Sequence, residues 1–183
     1  MMRKLLVAFM ILVACNTAGA AVLDSLYYLF SLSKTQLDST LEANGVPSAF
    51  VGTVYDIDVY KVRYFTPSYD SSTIFASGLL VVPTNVDCKL PMGSFGHGTT
   101  SDREGVPSRA NGGEAMICMV MGSLGYVSTA PDYIGLGDAP AGLIHPYQEA
   151  RTEASATIDL LRAARELAPE LGYRLNGQVF LSG

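Results

Sequence analysis

Gly177-Gln178-Val179-Phe180-Leu181-Ser182-Gly183 closes the chain, a short apolar run stopped by glycine. Placed after a long helix and an ordered series of strands, such a run reads as the strand that leads into a G-x-S-x-G turn, the nucleophile elbow. On this reading Gly183 starts the elbow and the nucleophilic serine belongs two residues further on. The expectation is an N-terminal piece of a longer parent protein, with no catalytic residue of its own and no activity alone.

Working back from that strand, Ala150, Ala154, Ile158, Leu161, Ala164 and Ala168 recur at three- and four-residue spacing between Glu149 and Ala168. The spacing predicts a helix that lays a narrow stripe of small residues on a sheet. Arg151, Asp159, Arg162 and Glu166 would then face water, with Arg162 and Glu166 an i, i+4 pair, and Pro169 and Gly172 would end the helix. Before it, Pro131 to Tyr147 is a loop punctuated by Gly135, Gly137, Pro140, Gly142 and Pro146, and Tyr126 to Ala130 is a strand. Gly113 to Leu124 is an apolar helix, Gly96 to Arg109 a polar loop, and Leu90 to Phe95 a strand apolar enough to be covered on both faces. Strands alternating with helices imply parallel strands joined by right-handed crossovers.

Further upstream the period changes to two from Tyr55 to Thr66, and Ile74 to Val82 is a second apolar run after a turn at Pro67, Ser68, Asp70 and Ser71. These two strands form an antiparallel pair at the front of the sheet. Residues 24 to 53 read as a helical extension around Lys34 to Ala43 followed by a loop, preceding the sheet. The sequence therefore divides into a leader (1–20), an N-terminal extension (21–53) and an incomplete α/β domain (54–183).

Residues 1–20 read as an export leader. Arg3 and Lys4 give a positive start, Leu5 to Ala14 an apolar run too short to span a bilayer, and Ala18-Gly19-Ala20 an A-x-A cleavage site. Leu12-Val13-Ala14-Cys15 also fits a bacterial lipobox, in which Cys15 is acylated and attaches the mature protein to a membrane. Both products stay open, so the expected location is exported: secreted, periplasmic or an outer-surface lipoprotein. Without Arg3 and Lys4 the chain carries 10 Lys and Arg against 17 Asp and Glu, a charge of −7 that argues against nucleic acid as a partner. At 49% hydrophobic and 16% charged it suits a globular domain with a substantial core. Cys88 lies in a turn and Cys118 in an apolar run, which predicts free thiols rather than a bridge. No C-x-x-C or H-E-x-x-H spacing supports a metal site.

The strand followed by Gly96-His97-Gly98-Thr99-Thr100, the helix and strand, then Ala130-Pro131-Asp132-Tyr133-Ile134-Gly135-Leu136-Gly137-Asp138, His145-Pro146-Tyr147, Asp159 to Leu167 and finally Val179 to Gly183 resemble, in that order, the secretory lipase and esterase branch of the α/β-hydrolases. The resemblance covers residues 54 to 183. It implies an α/β-hydrolase fold, with a mostly parallel central sheet, an antiparallel front pair and helices on both faces. It also implies a serine esterase or lipase that hydrolyses a small-molecule or lipid ester by Ser-His-Asp/Glu acyl transfer without a cofactor. A serine peptidase of the same fold and a non-catalytic relative that binds ligands are the alternatives, and the oligomeric state is left open.

In that family the loop after the third strand supplies one oxyanion-hole N–H, which places Gly98 and Thr99 as candidates. Fixed donors there stabilise the negative charge that develops on the carbonyl oxygen. His97 and His145 both precede the elbow, whereas the family order is Ser, then Asp or Glu, then His. They are therefore assigned to loop support, His97 bracing the oxyanion loop and His145 anchoring the long loop. Asp132 and Tyr133 follow a strand that ends on the same sheet edge, Asp132 to cap a turn or bond the oxyanion loop and Tyr133 to wall the acyl pocket. Gly135-Leu136-Gly137 is not a dinucleotide fingerprint, because the third glycine is misplaced.

Overall fold

The computed structural model describes residues 21–183. Residues 1–20, which the sequence reads as a leader, and Cys15 with them, lie outside the described residues. One mixed six-stranded sheet organises the rest, built from β1 (Leu23–Leu32), β2 (Ile57–Pro67), β3 (Thr73–Pro83), β4 (Leu90–Phe95), β5 (Val127–Pro131) and β6 (Leu175–Ser182) in the order β1-β2-β3-β5-β4-β6. The pairs β1–β2, β2–β3 and β3–β5 are antiparallel, and β5–β4 and β4–β6 are parallel.

The helices are α1 (Lys34–Ala43), α2 (Ser48–Val51), α3 (Gly112–Ser123) and α4 (Ala150–Leu171), with a 3-10 turn at Pro107–Arg109. From β4 the chain steps through α3 to β5, then passes back through α4 to β6 on the far side of β4. Right-handed crossovers in opposite directions must put their helices on opposite faces. Accordingly Ala115, Cys118 and Met119 of α3 pack with Leu37, Leu41, Ile57 and Leu79 on one face. Leu160, Ala163, Ala164 and Leu167 of α4 pack with Val62, Tyr64 and Leu80 on the other. Fully burying each of the larger apolar side chains contributes roughly 1.5–3 kcal/mol.

The first sheet strand corrects the sequence reading. Residues 23–32 do not precede the sheet but pair with β2 as its outer strand, and their Leu, Tyr and Phe residues suit a half-buried pleated surface. Helix α1 occupies the expected residues because Ser33 and Gln36 form a reciprocal cap. The Gln36 N–H donates to Ser33 Oγ at 3.3 Å, and the Ser33 N–H to Gln36 Oε1 at 2.9 Å.

Helix α4 is rotated from its expected setting. Leu161 and Ala164 are buried as expected, but Thr152, Ala156, Leu160, Ala163 and Leu167 join them, while Ala150 and Ala154 are exposed and Ile158 is 48% exposed. Its polar members are satisfied in place: Thr152 Oγ1 donates to Glu149 O, and Asp159, expected in water, is buried against Arg162 at 2.8 Å. With local partners for those groups, the large Leu160 and Leu167 decide which face turns inward. Arg162 thus pairs with Asp159 rather than Glu166. Pro169 stays inside the helix, which ends two residues later at Leu171 and is capped by Gly172 in the left-handed conformation, φ 76°. Cys88 is exposed and Cys118 buried, and they are not bridged. Burial pushes the Cys118 thiol up to about 12, which leaves it an inert core residue.

Candidate functional site

Strands β4 and β5 are parallel neighbours whose outgoing loops lead to helices on opposite faces, the switch point beyond whose C-terminal ends open α/β sheets form their ligand crevice. The loop after β4 brings Gly96 to Thr100 to this crevice, the loop after β5 brings Asp132 and Tyr133, and β6 delivers Gly183 beside them. The Gly96 N–H donates to Ser182 O at 2.8 Å, and a Cβ on Gly183 would come within 3.0 Å of Gly96 O.

His97 lies between the two loops, 9% exposed, with Nδ1 2.8 Å from Gly98 O and Nε2 3.2 Å from Asp132 O. A neutral imidazole has a single N–H, so only one of these carbonyls receives a proton in either tautomer. The ring stacks at a tilt on Tyr133, with centroids 4.6 Å apart. Tyr133 in turn stacks with His145 at 6.4 Å, and His145 meets Tyr147 edge-on at 6.3 Å. His145 Nδ1 is 2.8 Å from Ile134 O, and Tyr147 OH is 3.1 Å from Thr99 Oγ1. The long loop therefore returns over the β4 loop through an aromatic file that ends on Thr99.

Tyr133 adopts φ 66°, a left-handed conformation costly for a residue with a Cβ, and such strain clusters at functional sites. A Cβ on Gly96 would lie 2.9 Å from the Tyr133 hydroxyl, so glycine there makes room for the phenol. Burial first, and then the nearby Glu153 and Glu114 carboxylates, raise the Tyr133 phenol above its ordinary range. It is a hydrogen-bond donor rather than a phenolate at neutral pH.

Gly98 is exposed, and its N–H donates to Glu114 Oε1 at 3.2 Å from the first turn of α3. The candidate oxyanion donor thus already holds an anionic oxygen. Glu114 also stands on the wall of a groove of about 1060 Å³, which runs between α3 and the α1–α2 hairpin.

Asp132 has no exposed surface, so its carboxylate lines no cavity. Oδ2 accepts from Ser77 Oγ at 2.5 Å, Oδ1 accepts the Ser108 N–H at 2.9 Å, and Ser77 Oγ accepts the Asp138 N–H at 2.9 Å. The side chain caps the 3-10 turn while its backbone carbonyl meets His97. Burial raises the carboxyl above its ordinary range, against the opposing effect of the Ser108 and Ser77 hydrogen bonds. Gly137, at φ 56°, passes so close that any Cβ would overlap the Asp132 carboxylate and the Ser77 hydroxyl. Ion pairs of Asp138 with Lys61 (2.6 Å) and Arg109 (2.8 Å), and the bond from Arg103 Nε to Gly137 O (3.0 Å), tie the two loops further.

The structure therefore gathers Gly98, Thr99, His97, His145, Tyr133 and Gly183 at one sheet edge and puts Asp132 directly beneath them. Sequence reasoning missed Ser77, Ser108, Glu114 and Tyr147. The available signal for Ser77 was a lone hydroxyl in the otherwise apolar run 74–82. Among the described residues no group of three or more His, Cys, Asp and Glu could hold a metal ion, and no helix is long and apolar enough to cross a membrane.

Neither the family models nor the curated proteins give a match to this chain. Among solved structures, the chain is similar to a protein from Legionella pneumophila whose description as a hydrolase is itself provisional. The identity is 36% over 87% of this chain and 43% of that one, with a TM-score of 0.78. It is also similar to the rice cell wall degrading esterase LipA from Xanthomonas oryzae in a ligand-bound form, at 29% identity over 91% of this chain and 42% of that one, TM-score 0.76. Lipase A from Candida antarctica shares the fold at 9% identity and a TM-score of 0.53. The chain spans less than half the length of each of these relatives.

Proposed function

Starting from a chain that belongs to the α/β-hydrolase superfamily, we propose that it forms the front of the catalytic domain of an exported serine carboxylic-ester hydrolase, an esterase or lipase, free or anchored through Cys15. The observation that carries this reading is the meeting of the Gly98 loop with Gly183 at the C-terminal ends of β4 and β6. In acyl transfer a serine hydroxyl attacks the ester carbonyl and negative charge collects on its oxygen. Two N–H groups in a dry pocket stabilise that charge by several kcal/mol. Gly98 supplies one, and the residue after the serine of the parent protein supplies the other. The Glu114 carboxylate marks the direction of the Gly98 N–H, and a substrate carbonyl gains this donor as Glu114 turns away. Tyr133 and Tyr147 form an apolar wall with polar tips beside it, and the acyl or alcohol group of a small-molecule or lipid ester lies against them.

The test is to read the codons that follow Gly183 in the parent gene, then assay the whole protein on a short-chain nitrophenyl ester. The reading expects Ser two positions after Gly183, Gly two positions later, and hydrolysis abolished by Ser→Ala. Another residue at the serine position, or turnover that survives Ser→Ala, overturns it.

A further inference from the structure

The start of β1 gathers chemistry that the crevice does not use. Glu166 of α4 accepts the Val22 N–H and the Leu23 N–H, each at 3.0 Å, one on each carboxylate oxygen. Two turns earlier on α4, Asp159 is 5% exposed and lines a cavity of about 490 Å³ together with Ala21, Val22, Thr66 and Arg162. The Thr66 hydroxyl is buried, with the residue 2% exposed, and has no hydrogen-bond partner among the described residues. A native protein rarely leaves such a group unpaired. Phe65, Pro67 and Thr73 complete the walls. Asp159 is paired with Arg162, so among the described residues the charge at this place without an ion-pair partner is the exposed Glu166 carboxylate, bonded to two neutral amides.

The complement to one carboxylate and one unpaired hydroxyl is a small cationic donor, and the sequence supplies one at this position. Ala21 follows the A-x-A triplet Ala18-Gly19-Ala20. We propose that cleavage after Ala20 creates the ligand of this site: the α-ammonium of Ala21 docks against Glu166 and the Thr66 hydroxyl and locks β1 onto α4. The proposal rests on residues 1–20 being a cleaved leader. Hydrolysis of the Ala20–Ala21 bond by an export-pathway leader peptidase consumes one water. It leaves a carboxylate on Ala20 and an amine on Ala21, which takes up a proton. Consecutive residues are spaced about 3.8 Å along the chain and Val22 N lies 3.0 Å from Glu166, so the Ala21 ammonium lies within about 7 Å of that carboxylate, reaching the range of about 4–6 Å in which an opposite charge favours the charged amine. If instead Cys15 is the mature N-terminus, position 21 presents a neutral peptide N–H, and the hydroxyl and carboxylate gain no cation.

The full chain, expressed with its own leader in an exporting bacterium, tests this in three measurements. The intact mass of the product should place its first residue at Ala21. After reductive methylation with a 13C label, the Ala21 amine should titrate above the ordinary α-amino range of about 7.7–8.0. In Glu166→Gln, which keeps an oxygen acceptor for one strand amide, the midpoint should fall back into that range. Acetylation of the Ala21 amine in the unmutated protein should lower the melting temperature at pH 7. A raised amine contributes stability below its unfolded value and loses it as pH rises through the folded one, so this difference should vanish near pH 10. A mature N-terminus at Cys15, an amine midpoint in the ordinary range, or a midpoint insensitive to Glu166→Gln would each overturn the proposal.

Discussion

Replacing Asp132 by Ala removes the one side chain that holds β3, the 3-10 turn and the loop after β5 to a common point. The carboxylate accepts from Ser77 Oγ and from the Ser108 N–H, and no part of it reaches water. Truncation orphans the Ser108 amide, frees the Ser77 hydroxyl and leaves a cavity where the carboxylate stood. Each buried unsatisfied group costs about 1–3 kcal/mol, so Asp132→Ala should destabilise by about 2–5 kcal/mol. Asp132→Asn should cost less, about 1–2 kcal/mol, because its oxygen still accepts one N–H while its amide faces a hydroxyl that has a second lone pair. The pH dependence separates loss of charge from loss of packing. Burial raises the folded-state value of this acid above the ordinary 3.8. Its contribution is therefore fully present below the unfolded value and lost as pH rises through the folded one. Urea unfolding from pH 4 upward should show that decline in the unmutated chain and not in Asp132→Asn. An Asp132→Ala chain within about 0.5 kcal/mol of the parent, or an Asn variant with the same pH slope, would refute the assignment of Asp132 as a buried tie.

Gly98→Val places its Cβ 3.4 Å from Glu114 Oε1 and crowds the donor, so kcat of the whole protein should fall by about 10² with a smaller change in KM, measured on a nitrophenyl ester. His145→Ala, which removes the ring from Tyr133 and from Ile134 O, should lower the melting temperature more than it lowers turnover. Gly137→Ala must push a methyl into Asp132 and Ser77 at a positive φ and should destabilise by more than 1 kcal/mol in urea unfolding, so a neutral effect would contradict the close approach. For Asp138, burial raises the carboxyl, but the Lys61 and Arg109 bonds outweigh it and leave it below the ordinary 3.8. Its contribution is present above the unfolded value and lost as pH falls through the folded one, so acid unfolding of Asp138→Asn should be shallower below pH 4 than that of the parent.

Much of this architecture was legible because it is written in local periods. The three- and four-residue spacing found α4, the segment Lys34 to Ala43 was read as the helix that α1 forms, and the apolar runs at 74–82 and 90–95 found β3 and β4. What escaped depends on which surface each element meets. Leu23–Leu32 carries no strict alternation, since its register with β2 shifts between Leu23 and Ser25 and again between Tyr28 and Phe30, and each irregularity moves its side chains off a period of two. The inward face of α4 was misjudged for the related reason that Asp159 and Thr152 look solvent-bound in sequence and find their partners only in the fold.

The same distinction explains the crevice. That Gly98, Thr99, His97, Asp132 and Tyr133 would meet at one edge was legible because loops at the C-terminal ends of parallel strands occupy one edge whatever else the sheet does. Their support was not. Ser77 reaches Asp132 only because β3 pairs antiparallel with β5, which sets Gly78 opposite Pro131 and brings the Ser77 carbonyl to the Asp132 N–H at 2.9 Å. The hydroxyl that steadies the carboxylate therefore comes from 55 residues upstream, across a pairing no local signal encodes. His97, with one ring nitrogen 3.2 Å from the Asp132 carbonyl and the other 2.8 Å from the Gly98 carbonyl, stands between that support and the β4 loop, whichever carbonyl receives its N–H. On the proposed function, the antiparallel front of the sheet thus supports the loop pair that carries the donor, and loss of the Ser77 hydroxyl should register at this edge through Asp132.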